Sequence, residues 1–307
     1  MTAITLQPLA SRRRALGALS AHLLVALIAL VGIGGATRVM EAGLACPDWP
    51  LCYGSLLPGR QMNLQVFLEW FHRLDAFVVG VGLLVQAVAT WWWRRELPRW
   101  VPWLSVAALL LVAVQGALGA LTVTLLLPFS VVTAHLITAL VLVALLSACT
   151  QVLLEPSLVR TARIQSLQWF NRVWPWLLGA VAALAILQCL LGGLMATQWA
   201  AGRCLSSGEG CGWLLAHRLG ARPVALAVIT AALLAAWRRP AERTLAALAA
   251  MAVVTQVALG VFSLRLTLAA PAVTVAHQLV AALLVAVLAA LFSRSLLQLS
   301  PQDNSHG

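Results

Sequence analysis

Gln115–Leu136 reads QGALGALTVTLLLPFSVVTAHL, and Gln256–Leu279 reads QVALGVFSLRLTLAAPAVTVAHQL. Each is an apolar run, a short turn carrying a proline (Pro128, Pro271) and a second apolar run that opens on Val-Thr before Ala-His. Such a pattern predicts a hairpin of two helices, each long enough to cross a bilayer. Other pairs repeat with it. Phe71-His72-Arg73-Leu74 answers to Ala216-His217-Arg218-Leu219, and Gly34-Gly35 answers to Gly192-Gly193. The His-Arg positions lie 145 residues apart and the later histidines 142 apart. Chance likeness is common among leucine-rich helices, but matched His, Gln and Pro positions are not. The expectation is an all-α polytopic membrane protein with eight transmembrane helices, arranged as two tandem four-helix bundles by internal duplication, 1–160 and 161–307. An even number of spans per unit gives both halves one orientation, unlike inverted-repeat transporters.

Outward from these stretches, apolar runs recur at about 16–37, 66–92, 102–125, 131–153, 174–196, 213–237, 243–265 and 272–296. Each approaches the ~20 residues that cross about 30 Å of hydrocarbon. With 62% hydrophobic residues and 9% charged, the chain lacks the polar surface a water-soluble exterior needs, so lipid is its solvent. The formal charge of +11 comes from arginines in short runs between apolar segments. That pattern is an orientation signal, not a continuous phosphate-binding face, and no nucleic-acid partner is expected. Arg12, Arg13, Arg14, Arg160, Arg163, Arg172, Arg294 and the clusters near Arg94 and Arg238 share one side. The opposite loops hold Arg38, Arg60, Arg203 and Arg265. The positive-inside rule then puts both termini in the cytoplasm, in a multi-pass protein of the inner (plasma) membrane. Tryptophans from Trp91 to Trp103, with Trp174 and Trp176, form a belt at that edge. The basic start reads as leading into an uncleaved span, not a cleavable signal.

Four of the six histidines, His72, His135, His217 and His277, fall near the starts of even-numbered spans, at similar depth toward the outer face. A lone histidine in a membrane helix is as well explained by packing. Four at matched depth, in two pairs, point to a task, because polar groups in lipid are costly. Two facing imidazoles in a helical bundle suit the two axial positions of a heme iron. Zinc would recruit further ligands, and none cluster here. His22 and His306 lack counterparts and read as non-ligands.

The halves differ beside the first histidine. Glu69 shares a helix face with His72, and by spacing its second-half equivalent is Leu214; Asp75 corresponds to Gly220. Carboxylates beside one site and none beside the other suggest chemistry in the first half and electron relay or storage in the second. The plainer reading is a solvated Glu69 and an Asp75 paired with Arg73. In the outer loops, Cys46 and Cys52 bracket Pro47-Asp48-Trp49-Pro50-Leu51, and Cys204 and Cys211 bracket a Gly/Ser-rich stretch. Both pairs face the oxidising side, where disulfides form; a redox-active pair is the other reading, more so for the first. Cys149 and Cys189 read as intramembrane packing thiols.

Taken together, Gly35-Ala36-Thr37-Arg38, the segment Gly43-Leu44-Ala45-Cys46-Pro47-Asp48-Trp49-Pro50-Leu51-Cys52, Glu69-x-x-His72-Arg73 and the three later helix-start histidines resemble the heme A synthase family of cytochrome oxidase assembly. The resemblance covers nearly the whole chain and is nearest to bacterial members with cysteine pairs in both outer loops. Glu41 departs from it, standing where small or hydroxyl residues are usual. The resemblance implies that His217 and His277 hold a heme b cofactor. It implies that His72 and His135 flank heme O as substrate, with Glu69 catalytic and Cys46–Cys52 serving activity or electron transfer. The implied reaction takes the C8 methyl of heme O, by successive hydroxylation, to the formyl group of heme A. Implied partners are heme O, heme O synthase, the lipid bilayer and an electron donor the sequence does not name. The competing readings are a di-heme b-type electron carrier and a heme chaperone. The carrier is disfavoured because all four histidines sit on one side, and the chaperone because Glu69 has no counterpart.

Overall fold

The structure, a computed structural model, describes residues 6–154, 168–197, 200–208 and 211–298. The expected boundary at 160/161, Arg160, Arg163 and His306 lie outside the described residues. Among those described there are nine α-helices and no strand. They are α1 (Leu6–Val39), α2 (Leu64–Trp92), α3 (Val101–Thr124), α4 (Phe129–Leu154), α5 (Gln168–Thr197), α6 (Ala200–Ser207), α7 (Cys211–Arg238), α8 (Arg243–Arg265) and α9 (Pro271–Leu297). All but the short α6 are long and apolar enough to cross a membrane. That fits lipid as solvent, where a spanning segment must satisfy its own backbone hydrogen bonds and the helix is one of two ways to do it. Large apolar side chains such as Phe77, Trp92 and Leu110 face outward accordingly.

Helix ends follow local chemistry. Asn63 caps α2, its side chain accepting from Val66 N–H at 3.0 Å. The C-termini of α1, α3 and α8 close with one motif. Ala42, Leu127 and Leu268 N–H groups reach back to Thr37, Thr122 and Ser263 carbonyls at 2.7, 2.7 and 2.9 Å. The preceding Glu41, Leu126 and Thr267 adopt left-handed φ of 55°, 58° and 50°, a position usually given to glycine. Glu41 therefore occupies a helix stop. The α3–α4 and α8–α9 turns, which carry the repeated proline, share the same pair of left-handed residues, Leu126-Leu127 and Thr267-Leu268.

Each set of four spans forms a closed ring: α1 on α2, α2 on α3, α3 on α4 and α4 on α1, then α5 on α7, α7 on α8, α8 on α9 and α9 on α5. The rings meet through α1–α9, α4–α9 and α4–α5. Ser147 of α4 donates to the Ala286 carbonyl of α9 at 2.6 Å in this seam. The seam is therefore buried helix on helix, and a ligand shared between rings would lie beside it.

Candidate functional site

Alternate helices run the same way, so α2, α4, α7 and α9 start at one end of the bundle. His135, His217 and His277 lie six residues past the first residue of α4, α7 and α9, about 9 Å along the axis at 1.5 Å per residue. His72 lies eight past the first residue of α2. The structure brings them together in two pairs. Ring centroids of His72 and His135 are 6.5 Å apart at an interplanar angle of 76°. Those of His217 and His277 are 6.4 Å apart at 82°. Two imidazoles bonded to one metal through opposite nitrogens, with bonds of about 2.0 Å, place their centroids about 6.4 Å apart. Both pairs have that spacing. All four line one cavity of about 2370 Å³, well above the roughly 300–1,000 Å³ of a single-ligand pocket. Arg38, Arg73, Arg218, Arg222 and Arg265 line it too; Arg73 is paired with Glu69, and the other four offer counter-charge to the carboxylates a heme carries.

Each imidazole leans on a glycine of the preceding long helix. A methyl group built on Gly34, Gly119, Gly192 or Gly260 would stand 2.9, 3.4, 2.9 or 3.1 Å from Cε1 of His72, His135, His217 or His277 respectively. The ring edge is seated against bare backbone in all four cases. The sequence shows the glycine pairs but not these seats, because the contacts cross between helices.

The pairs differ in how their outer nitrogens are held. In the second pair the Gln188 amide nitrogen lies 3.0 Å from His217 Nδ1 and donates to the His217 carbonyl at 2.6 Å. His277 Nδ1 lies 3.1 Å from the Gln256 carbonyl. In the first pair His72 Nδ1 is buried without a partner, and His135 Nδ1 approaches the Gln115 backbone too loosely to close a hydrogen bond. The Gln115 side chain is taken instead by the Thr138 hydroxyl. Gln188 is a neighbour of the second histidine pair that the sequence does not single out. A signal existed: it stands four residues before Gly192, where Leu30 stands four before Gly34.

Glu69 lines the cavity yet is only 4% exposed, so it is not solvated. Its Oε2 accepts from Cys46 N–H at 2.8 Å, and its Oε1 accepts from Arg73 at 2.5 Å. Arg73 turns to Glu69, not to Asp75, and also donates to the Asp48 and Leu51 carbonyls at 2.7 and 2.6 Å. Glu69 and Arg73 thus pin the Cys46–Cys52 loop onto α2, beside His72. Asp75 is not among the cavity's lining residues, whereas Leu214, the spacing equivalent of Glu69, is. Cys46–Cys52 and Cys204–Cys211 are disulfides, and Cys149 and Cys189 are free. Thiol labelling under denaturing conditions is expected to modify two cysteines before reduction and six after. Labelling of Cys46 or Cys52 in protein never exposed to reductant would contradict the pairing.

The sequence profile of the COX15-CtaA family, cytochrome oxidase assembly proteins, matches residues 18–209. The chain belongs to this family. The match takes in Glu69, His72, His135 and the Cys46–Cys52 loop, while His217 and His277 lie beyond it and rest on geometry. Similar proteins include a heme A synthase of Shewanella oneidensis, 36% identical over 139 residues, covering 40% of this chain and 41% of that protein. Another, from Sphingopyxis alaskensis, is 33% identical over 38% of this chain and 42% of that protein. A third, from Mesorhizobium japonicum, is 32% identical over 56% of this chain and 54% of that protein. The matched stretch thus spans about two fifths to a half of these relatives.

Proposed function

We propose that this member of the family is a heme A synthase, oxidising the C8 methyl of heme O to the formyl group of heme A for cytochrome c oxidase. In this reading the first half, 1–160, takes heme O between His72 and His135, and the second, 161–307, holds heme b between His217 and His277. The observation that carries it is the uneven support of the two histidine pairs. Partners on the outer nitrogen orient an imidazole and strengthen it as a ligand, and their loss typically costs 10–100-fold in metal affinity. In the second half the Gln256 backbone carbonyl gives His277 that support, and the Gln188 amide holds the His217 ring in place from its outer nitrogen, as a resident cofactor needs. The first half lacks it at His72, as befits a substrate that must leave.

Bound heme b supplies one-electron transfer. The chain's own residues do the rest. His72 and His135 would orient the substrate ring, the arginines at the cavity wall would bind its carboxylates, and the apolar lining would exclude bulk water. Converting a methyl to a formyl group is a four-electron oxidation that releases protons, and Glu69 is the buried carboxylate placed to take one up. The positive-inside asymmetry supports cytoplasmic termini in the inner membrane, with both sites near the outer face. Heme O synthase as a supplier and an electron-transfer partner complete the proposal.

Pigments extracted from the purified chain and identified by mass test it. Heme b in stoichiometric amount with lesser heme O and heme A is the expected result. Two equivalents of heme b and no heme O or A would favour the electron carrier. Heme O bound and never converted, in cells that supply it, would favour the chaperone. Replacing Gln188 with Leu removes the side chain that holds His217 from its outer nitrogen and is expected to weaken heme b retention about 10–100-fold, read by heme titration of the purified chain. Unchanged affinity would remove the argument from uneven support.

A further inference from the structure

The two glycine pairs face both histidine sites at once. Gly34 seats His72 and Gly192 seats His217, each within its own half. The next residue on each helix faces the other half. A methyl group built on Gly35 would run into the Gln278 side-chain amide, with its Cδ at 3.2 Å, and one on Gly193 would meet Leu136 Cδ2 at 3.1 Å and Thr133 Cγ2 at 3.6 Å. Gln278 directly follows His277, and Leu136 directly follows His135. Consecutive helix residues point about 100° apart at 3.6 residues per turn. A Gly-Gly step therefore lets one helix press its backbone on two neighbours, α1 on α2 and α9, and α5 on α7 and α4.

We propose that Gly34-Gly35 and Gly192-Gly193 are positioning residues that couple the two heme sites. Each pair sets the first histidine of its own half and, through the residue after it, the second histidine of the other half. The inference rests on the reading that the four histidines bind heme iron. The α1–α9 arm is the stiffer of the two. With its oxygen turned toward Arg38, the Gln278 amide accepts from Arg38 Nε at 3.3 Å and from the guanidinium Nη2 as well. A side chain tethered in this way cannot swing aside when Gly35 gains a methyl group. Leu136, apolar and free at its tip, yields more readily, so the α4–α5 arm should transmit less.

The test uses the purified full-length chain saturated with ferric heme b, read by electron paramagnetic resonance and by redox titration. His72→Ala and His217→Ala assign the two low-spin signals by the one each abolishes. Gly35→Ala is expected to shift the g values and midpoint potential of the signal lost in His217→Ala, although Gly35 lies on α1. Gly34→Ala, one residue away, is expected to shift the signal lost in His72→Ala. Adding Gln278→Ala to Gly35→Ala should remove the clash, so that the double variant matches Gln278→Ala alone. If Gly35→Ala does not accumulate, Gly193→Ala tests the same rule and should shift the His72–His135 signal. A Gly35→Ala protein altered only at the His72–His135 site, or at neither, overturns the coupling. Absence of two histidine-dependent low-spin signals in the unmodified chain overturns the heme reading itself, and the coupling with it.

Discussion

Replacing His217 or His277 with alanine is expected to remove most of the heme b from the purified chain and to abolish its low-spin spectrum. Losing a supporting partner already costs a metal site about 10–100-fold in affinity, and losing an axial imidazole removes the bond itself. His217 and His277 face each other at 6.4 Å. His72 and His135 form a separate pair, 6.5 Å apart on α2 and α4. His72→Ala and His135→Ala should therefore leave the heme b spectrum largely in place while conversion of heme O stops. Pyridine hemochrome content per protein and the oxidised and reduced visible spectra measure both outcomes. A full low-spin spectrum in both the His217→Ala and the His277→Ala proteins would refute the assignment. Loss of heme b in the His72→Ala protein instead would exchange the roles of the halves.

The eight spans were legible because lipid leaves the backbone few alternatives, and hydropathy reports lipid directly. Span ends read less well. α5 starts at Gln168, before the expected 174, because its first turns carry polar residues such as Asn171 and Arg172 that hydropathy does not score as membrane. The outer helix α6 is a short segment with no apolar run to betray it. Among the site residues, the histidine pairing followed from matched positions, since helices of similar length deliver matched residues to matched depth. The contacts of Glu69 did not. A separation of four residues brings Glu69 and Arg73 to one helix face, but the Cys46 N–H that completes the clamp comes from a loop whose path is tertiary. The glycine seats and the Gln188 contact were hidden for the same reason: each is a contact between helices, visible in sequence only as a small or polar residue within an apolar run.

Glu69→Gln is expected to lower conversion of heme O to heme A by about 100-fold or more, the lower range for a lost general base, or to stall it at the alcohol. The substitution keeps the side chain's size but not its charge. Both carboxylate oxygens accept hydrogen bonds, from Cys46 N–H and from Arg73. A glutamine can satisfy one of these donors but must turn its NH2 group toward the other. Some loosening of the disulfide loop will therefore accompany the loss of charge, and the two effects need separating. Arg73→Lys separates them, because it keeps a cation beside the carboxylate while giving up the guanidinium fork that also reaches the Asp48 and Leu51 carbonyls. A proton-accepting Glu69 predicts a far larger loss of heme A in Glu69→Gln than in Arg73→Lys. Both variants should keep heme b at His217 and His277, which Glu69 does not touch, and both should retain the Cys46–Cys52 bond in the labelling assay. Heme A per unit of chain, by extraction from cells at matched expression, reads the outcome. Equal losses in the two variants would make Glu69 a peg for the loop, and near-normal heme A in Glu69→Gln would take the carboxylate out of the chemistry altogether.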